Sequence, residues 1–293
     1  MYYGKNVLSK FPEKFVFSLN DADADALIPG VSVAALTGNT VYYTDSVKDT
    51  CQVKPYVFPE IEDLAWFVSA EPAKKAYAAK EYETALRLYE ELAEKGFARA
   101  QFECGWIYYN GKGTPPNLEA ALRWFEKAAA LEHKDAQFRC AQMYYNGEGT
   151  APNQAKALHW YEKAAMQGHK DAQFECGKLY HHGKGVAHDM GKAVDWFQKA
   201  AQQGIVKAMY NLAVMYYNGD GMPTDMKAAY TWFEQAANRN HVKAQYKCAE
   251  MLYNGEVPKN REQARMWLQR VASQDADLEL QWKARAILSR SEM

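Results

Sequence analysis

One sequence pattern returns at a fixed period of 36 residues through most of the chain. It occupies Ala100–Asp135, Ala136–Asp171, Ala172–Lys207 and Ala208–Lys243, and a shortened fifth copy fills Ala244–Asp275. A period of about 20–50 residues is typical of solenoids, in which each copy is one structural unit that packs on its neighbours. The repeat therefore constrains the fold more strongly than any other feature.

Each copy predicts two helices joined by a glycine loop, and the copy Ala136–Asp171 illustrates the pattern. Gly147 and Gly149 predict a tight turn in its middle, because glycine adopts positive φ at little steric cost. The residues before the turn have an apolar stripe at helical spacing. This stripe consists of Ala136, Cys140, Met143 and Tyr144.

The second helix of each copy has a clear start signal, an Asn or Asp whose side chain can accept a hydrogen bond from an orphan backbone N–H. These predicted N-caps are Asn117, Asn153, Asp189, Asp225 and Asn260. In the second copy the helix is predicted to stop at Gly168, a C′ glycine. Its predicted buried residues are Ala157, Trp160, Tyr161, Ala164 and Ala165. Such a hairpin cannot bury its apolar face alone, so the copies are predicted to stack.

Several residues return at the same place in each copy. In the first copy they are Gly105, Tyr108, Gly111, Gly113, Trp124, Phe125, Lys127, Ala128 and Ala129. In the third copy they are Gly177, Tyr180, Gly183, Gly185, Lys192, Ala193, Trp196, Phe197, Lys199, Ala200, Ala201 and Gly204. This pattern resembles the Sel-one-like repeats, a branch of the tetratricopeptide-like α/α solenoids. The resemblance is strong over Ala100–Asp275 and weak over Pro72–Gly96, and the fifth copy departs from it by lacking the second loop glycine.

The predicted fold is an all-α solenoid, an α/α superhelix of about six helix hairpins, with a small N-terminal β-containing module. The solenoid is predicted to span residues 61–293. It would begin with a short helix at Ile61–Ser69 and a helix with Pro72 in its first turn, and Ala276–Arg290 predicts a C-terminal capping helix. Residues 1–60 predict a small β-rich or mixed module, because short β-branched and aromatic runs alternate there with turn residues. Those runs are Phe15–Leu19, Val31–Leu36, Thr40–Thr44 and Tyr56–Phe58.

Charge and hydropathy narrow the range of partners. The chain has 35 basic and 36 acidic residues, so it lacks the basic excess typical of nucleic-acid-binding proteins. No stretch approaches the roughly 18 apolar residues that a membrane span requires, and the first residues lack the apolar core of a secretory signal. We therefore predict neither a nucleic-acid partner nor a membrane partner, and a cytoplasmic location.

Four cysteines fall at the same phase of the repeat, namely Cys104, Cys140, Cys176 and Cys248. Equivalent residues of stacked hairpins lie about 8–10 Å apart, whereas a disulfide requires Cα atoms within about 7 Å. The four are therefore predicted to be buried and unbridged, without a metal or redox role. The role of Cys51 is left open.

The first helix of each copy has two positions that lie off the apolar stripe, occupied in the first copy by Trp106 and Tyr109. The predicted partner-binding residues at these positions are Trp106, Tyr109, Gln142, Tyr145, Lys178, His181, Val214, Tyr217, Glu250 and Tyr253. The resemblance implies that they line the inner, concave wall. Aromatic residues flanking a variable position suit recognition of an extended peptide or of another protein's element.

Two neighbouring groups have alternative interpretations. One turn earlier, the aromatic residues Phe102, Phe138, Phe174, Tyr210 and Tyr246 fit either packing between hairpins or contact with a partner. His181, His182 and His188 form the only dense histidine group, but Asp189 beside them is already a predicted N-cap, which favours an ordinary loop over a metal site. The triplet Asp21, Asp23 and Asp25 lacks the later ligands of a calcium loop, so it too predicts no metal.

The sequence contains no arrangement typical of nucleophilic, metal-dependent or thiol chemistry. We predict no catalytic residue, no metal and no cofactor. The predicted function is non-catalytic binding of another protein or peptide through the concave groove, as an adaptor or regulatory repeat protein. Two alternatives stay open. One is a bacterial immunity protein that neutralises a toxin or effector enzyme, and the other is a self-assembling scaffold.

Overall fold

The computed structural model describes residues 15–17, 40–45, 52–57, 66, 69–274 and 277–290 of the 293-residue chain. The chain divides into two compact units, Met1–Phe97 and Ala98–Met293. The domain boundary at residue 60 stays a prediction. Val31–Leu36 and the aspartate triplet at 21–25 lie outside the described residues, as does Cys51.

The first unit contains three strands, β1 (Phe15–Phe17), β2 (Thr40–Asp45) and β3 (Gln52–Val57). They form an antiparallel sheet in the order β1-β2-β3, in which Tyr42 pairs with Val16 on one side and with Pro55 on the other. β1 and β2 overlap the predicted runs Phe15–Leu19 and Thr40–Thr44, and the small N-terminal module itself stays a prediction.

The first unit also contains a helix pair, α1 (Glu71–Ala78) and α2 (Tyr82–Glu94), with Pro72 in the first turn of α1 as predicted. Trp66 is buried and stacks on Tyr89 of α2 at a centroid distance of 6.3 Å. The rest of the predicted helix Ile61–Ser69 lies outside the described residues apart from Ser69, which is helical.

The second unit consists, in its described residues, of helices of 13 residues each. They are α3 (Ala98–Asn110), α4 (Leu118–Ala130), α5 (Lys134–Asn146), α6 (Gln154–Met166), α7 (Lys170–His182), α8 (Met190–Gln202), α9 (Val206–Asn218), α10 (Met226–Asn238), α11 (Val242–Asn254), α12 (Arg261–Ser273) and α13 (Leu278–Arg290). Within this unit each helix packs on the helices before and after it in the chain, which is solenoid packing and confirms the predicted fold class. We call the first helix of each hairpin helix A and the second helix B. No described helix is long and apolar enough to cross a bilayer.

The predicted start and stop signals of the B helices are confirmed. Every predicted cap side chain accepts a backbone N–H three residues on; Asn117 Oδ1, for example, lies 2.9 Å from the amide nitrogen of Ala120. Gly168 has φ +80° at C′ of α6. Glu132 takes the corresponding place after α4 with φ +58°, and its carboxylate accepts hydrogen bonds from Gln137 and Lys163 at 2.8 and 3.1 Å.

The second glycine of each loop permits a close contact between neighbouring copies. A Cβ atom on Gly149 would lie 2.4 Å from the carbonyl oxygen of Leu118, the first residue of α4. On Gly185 it would lie 2.5 Å from the carbonyl carbon of Gln154, the first residue of α6. The loops of the second, third and fourth copies therefore rest on the backbone at the start of the preceding B helix, and a side chain at Gly149, Gly185 or Gly221 would hold the copies apart.

Buried glutamines join consecutive hairpins near the ends of the B helices. Gln137 Nε2 donates to the carbonyl oxygen of Ala129 at 3.2 Å, and its own Oε1 accepts a hydrogen bond from Gln167 Nε2 at 2.8 Å. These bonds satisfy a buried amide and a carbonyl at a helix end, both of which are costly to leave unpaired. The same pair of bonds recurs at Gln173 with Gln203 and at Gln245 with Gln274.

Three A helices begin with a histidine cap that the sequence analysis missed. The Nδ1 atoms of His133, His169 and His241 each lie 3.2 Å from a backbone nitrogen of the following helix, from which they accept a hydrogen bond. The rings also stack on aromatic side chains of the preceding A helix; His169, for example, lies 4.2 Å from Phe138 between centroids. Burial lowers the pKa of each imidazole and favours the neutral form that can accept this bond.

The prediction that Trp160 is buried is wrong, because this side chain is only half-buried on α6. Lys163 places its ammonium 5.6 Å from the ring centroid. Trp124 and Trp196 occupy the same position on α4 and α8 and have lysines 4.0 and 4.3 Å above their rings. α4, α6 and α8 thus present partly exposed tryptophans covered by lysines, in keeping with cation–π pairing at a protein surface.

Gly185→Ala is expected to destabilise the protein much more than Gly204→Ala. Both glycines have positive φ, at +77° and +89°, but a Cβ on Gly204 meets no atom within 4 Å. Gly204→Ala should lower the free energy of unfolding only by the cost of holding alanine in the left-handed backbone conformation, about 1–2 kcal/mol. Gly185→Ala adds a clash with backbone, worth about 1–3 kcal/mol more. Urea unfolding measures both losses, and equal losses would contradict the close contact between copies.

Replacing His133, His169 and His241 together by asparagine should flatten the pH dependence of stability below about pH 7. Asparagine still caps a helix but does not titrate. Because the folded pKa values are lowered from about 6.5, the unfolded chain binds more protons on acidification. The stabilisation is therefore present above about pH 6.5 and lost as the pH falls through the folded pKa values. Urea titrations at several pH values test this, and identical slopes for both proteins would contradict it.

Candidate protein-interaction face

The ten predicted binding residues occupy two positions of each A helix, nine and twelve when the first residue of the helix is position one. We call them together the A-helix face. Nine of them are half-buried, and Tyr253 is 57% exposed. None is withdrawn into the core, so all ten positions present surface to solvent. That the face binds a partner, and that it is concave, stay predictions.

Cations at position six tie the face of one copy to that of the copy before it. Arg139 on α5 places its guanidinium carbon 4.2 Å from the Trp106 ring and 4.8 Å from the Tyr109 ring, both on α3. Lys247 on α11 lies 4.0 Å from the ring of Tyr217 on α9. Cation–π contacts of this kind fix the orientation of a partly exposed ring.

The tyrosines at position twelve also bond to the loop of the next copy. Tyr109 donates its hydroxyl hydrogen to Glu148 Oε2 at 3.0 Å, and Lys184 Nζ donates to the Tyr145 hydroxyl oxygen at 3.5 Å. Partial burial and the bond to Glu148 raise the pKa of Tyr109. These contacts join the face across the first three copies and across the last two, and they hold the rings of Trp106, Tyr109 and Tyr217 in place.

Position nine carries the variable chemistry, and several of its polar residues are paired within their own helix. Lys178 and Glu250 make ion pairs of 2.7 Å with Glu175 and Lys247, respectively, each spanning three residues. Gln142 accepts a hydrogen bond from Arg139 at 2.8 Å. Such pairs are weak in water and can exchange for a partner's groups. Position nine is thus where one copy differs from the next.

The aromatic residues at position five pack between helices. Phe102 lies 5.6 Å from Phe125 of its own B helix and 4.6 Å from His133, measured between ring centroids. The pair Tyr210 and Phe233 repeats this packing at 5.6 Å. Of the two alternatives left open for this position, the structure shows the packing one in these copies.

A cavity of about 280 Å³ adjoins this face beside α13. It is lined by Tyr210, Lys243, Tyr246, Lys247, Asp277, Glu279 and Leu280. Lys247 is paired with Glu250, and Asp277 Oδ1 caps α13 by accepting the Leu280 amide hydrogen at 3.1 Å. The repeat pattern did not reveal the cavity, because one of its walls comes from α13, after the last complete copy.

The histidine group lies at the end of α7 and in the following loop. The ring centroids of His181 and His182 are 4.7 Å apart, and those of His181 and His188 are 6.5 Å apart. His182 Nδ1 contacts the Lys178 carbonyl oxygen at 2.8 Å, and Asp189 caps α8. Within the described part of the chain, no three ligating side chains converge on a common metal position.

The four in-phase cysteines are buried and unbridged, as predicted. Burial raises the pKa of Cys140, Cys176 and Cys248, so these thiols stay protonated at neutral pH. Since only the thiolate is strongly nucleophilic, they act as small apolar side chains. Leu212 fills the equivalent place in the fourth copy and is also fully buried.

Trp106→Ser is expected to destabilise the protein, whereas Tyr253→Ser should leave its stability nearly unchanged. Trp106 contacts both Phe102 and Phe125, at centroid distances of 6.1 and 5.8 Å, so its truncation should cost about 2 kcal/mol or more. Tyr253 is 57% exposed, and its loss should cost less than about 0.5 kcal/mol. Urea unfolding provides the measurement. Similar losses for both variants would contradict this division of the face into packing and displayed residues.

Comparison with protein families matches the Sel1 repeat six times, at residues 77–97, 98–133, 134–169, 170–205, 206–241 and 242–275. Among solved structures, a Sel1 repeat protein from Oxalobacter formigenes is similar at 28% identity and a TM-score of 0.65, covering 71% of this chain and 86% of that one. A protective antigen of uropathogenic Escherichia coli with an SLR fold is similar at 29% identity and a TM-score of 0.62. That match covers 65% of this chain and only 41% of the antigen. Comparison with curated proteins gave no match. Because the six repeats cover more than half of its length, the chain belongs to the Sel1 repeat family.

Proposed function

We propose that this protein is a non-catalytic interaction module that binds a segment of a partner protein along the A-helix face. Sel1 repeat proteins generally act as protein-interaction modules and are generally non-catalytic. The finer proposal concerns where this chain binds and what kind of segment it takes. The observation that carries it is that partly exposed aromatic rings of one copy contact cations and a loop carboxylate of the next copy.

Preorganisation supports binding at this face. The rings of Trp106, Tyr109 and Tyr217 already have cations stacked on them, and Tyr109 is also tied to the next loop. A partner therefore meets rings whose rotamers are restricted, which lowers the entropic cost of association. Tyrosine and tryptophan are also the residue types that contribute most often to binding hot spots.

The spacing of the copies favours an extended segment. Side chains of consecutive A helices touch, as Arg139 and Trp106 show, and we take the usual spacing of packed helices, about 8–10 Å, against an advance of about 3.3 Å per residue for an extended chain. One copy would therefore meet about every third residue of the segment, and the five A helices would span about 12 residues. At position nine the segment would encounter a different side chain in each copy, which provides a basis for selectivity.

The cavity beside α13 would receive one side chain of the bound segment. Its volume of about 280 Å³ is large enough for a single side chain but too small for a folded element. Tyr210 and Tyr246 offer hydroxyl groups, and Leu280 offers an apolar surface. An anchor at one end would set the register of the segment along the repeats.

The binding test selects peptides of 12 residues from a random library on the full chain and measures their Kd by fluorescence anisotropy. Changing Tyr217 and Tyr253 together to serine should weaken selected peptides at least about tenfold, since two anchoring rings are lost. The control is Met166→Ser, because Met166 is 71% exposed and lies on α6, a B helix. An unchanged Kd in the double variant, with circular dichroism showing that it is folded, would count against the A-helix face as the binding site.

A further inference from the structure

Helix α13 has the sequence of an A helix without a following B helix in the described residues. Gln281 and Ala284 correspond to Gln245 and Cys248 of α11, and all four residues are buried. Gln281 Nε2 donates to the carbonyl oxygen of Gln274 at 3.2 Å, much as Gln245 bonds to a carbonyl at the end of its preceding helix. The inner side of α13 therefore packs as the repeat requires.

The outer side of α13 lacks the cover that the repeat normally provides. Trp282 stands at position five, where Phe102 and Tyr210 pack on aromatic rings of their own B helices at 5.6 Å. Trp282 is 71% exposed, and Leu278, one turn before it, is 76% exposed. Both belong to the few large apolar side chains that are this exposed within the described residues. Terminal units of solenoids usually turn a polar face outwards, so this pair departs from the expected cap.

Arg285 changes what can cover this surface. It stands at position eight, which is glycine or alanine in the complete copies. A Cβ on Gly105 would lie 2.5 Å from the Phe125 ring, and one on Gly177 would lie 2.6 Å from the Phe197 ring. Copies with alanine there tolerate one methyl group opposite the aromatic residue, but the much longer side chain of Arg285 would crowd an aromatic residue presented as in α4 or α8.

The positive charge of Arg285 indicates which side chain a docked helix would place opposite it instead of an aromatic residue. The side chain of Arg285 is exposed and donates to the carbonyl oxygen of Ala272 at 3.1 Å, but it makes no ion pair with another described residue. An arginine beside an apolar surface pairs well with a carboxylate, because its planar donors match two carboxylate oxygens. Leu278, Trp282 and Arg285 lie at i, i+4 and i+7 and so share one face of α13.

We propose that the outer face of α13, formed by Leu278, Trp282 and Arg285, docks an amphipathic helix from another protein. That helix supplies apolar side chains to Leu278 and Trp282 and a carboxylate to Arg285, in the place where a complete copy has its B helix. A B helix of a second copy fits poorly, since α4, α6, α8 and α10 present an aromatic ring where Arg285 stands. None of these three residues belongs to the A-helix face, so substitutions test the two proposals one at a time.

The test uses two helix-stapled, fluorescein-labelled peptides and the full chain. One peptide has the sequence of residues 117–133, a B helix of this protein, and the other has the same sequence with Phe125→Glu. We expect the glutamate peptide to bind at least about tenfold more tightly in fluorescence anisotropy. Trp282→Ser should remove this binding, and Arg285→Ala, which restores the small residue of the other copies, should reverse the preference in favour of the phenylalanine peptide.

Two controls separate this surface from the others. Met166→Ser and the double change of Tyr217 and Tyr253 to serine should leave peptide binding unchanged. Sedimentation velocity up to about 100 µM should show a concentration-independent mass. Three results would overturn the proposal: no binding of the glutamate peptide, binding that Trp282→Ser leaves intact, or self-association that Trp282→Ser abolishes. The last of these would make a second copy the occupant.

Discussion

The contact on which the stacked hairpins depend is a backbone-to-backbone one. The second loop glycine of one copy lies against the first residue of the preceding B helix, so closely that a single added carbon atom would overlap it at Gly149 or Gly185. Hydrogen-bonded glutamines join the same neighbours at the other end of the B helix. Two fixed contacts at opposite ends of a short helix leave little freedom of rotation between copies. The A-helix face therefore has a defined geometry although it is assembled from separate repeats.

The periodicity of the sequence was sufficient to predict the helices, the B-helix caps, the loop glycines and the unbridged cysteines. All of these depend on local rules, such as the capping preference of Asn117 or the positive φ of Gly147. The missed features depend on which residues of different copies meet. Gln137 looks like an ordinary polar residue until Ala129 and Gln167 are brought to it. Trp160 has the composition of a core residue, but in the structure the aromatic residue that follows it in α6, Tyr161, fills the core instead.

The candidate site was harder to predict than the fold for the same reason. Spacing alone places Trp106 and Tyr109 on one side of α3, but it does not show that Arg139 of the next copy lies across both rings. Nor does it show that part of the surface is already occupied by internal pairs such as that of Lys247 with Glu250. A partner at the proposed face would have to compete with these contacts, each worth about 1 kcal/mol or less at an exposed site. Selectivity would then come from how well a segment replaces them, copy by copy.

Among the described residues, α13 differs from the helices before it because it has a neighbouring helix of the chain on one side only. In α13 the inward positions keep the identities of the repeat, as Gln281 and Ala284 show, whereas the outward ones do not. Arg285 in place of glycine or alanine prevents a further copy from stacking in register, which works against open-ended growth. Had the outward face served only as a cap, a polar residue at position five would have been sufficient. Trp282 lies beside Arg285, which makes no ion pair with another described residue, and this combination supports the proposal that the face accepts a helix of different chemistry from a repeat helix.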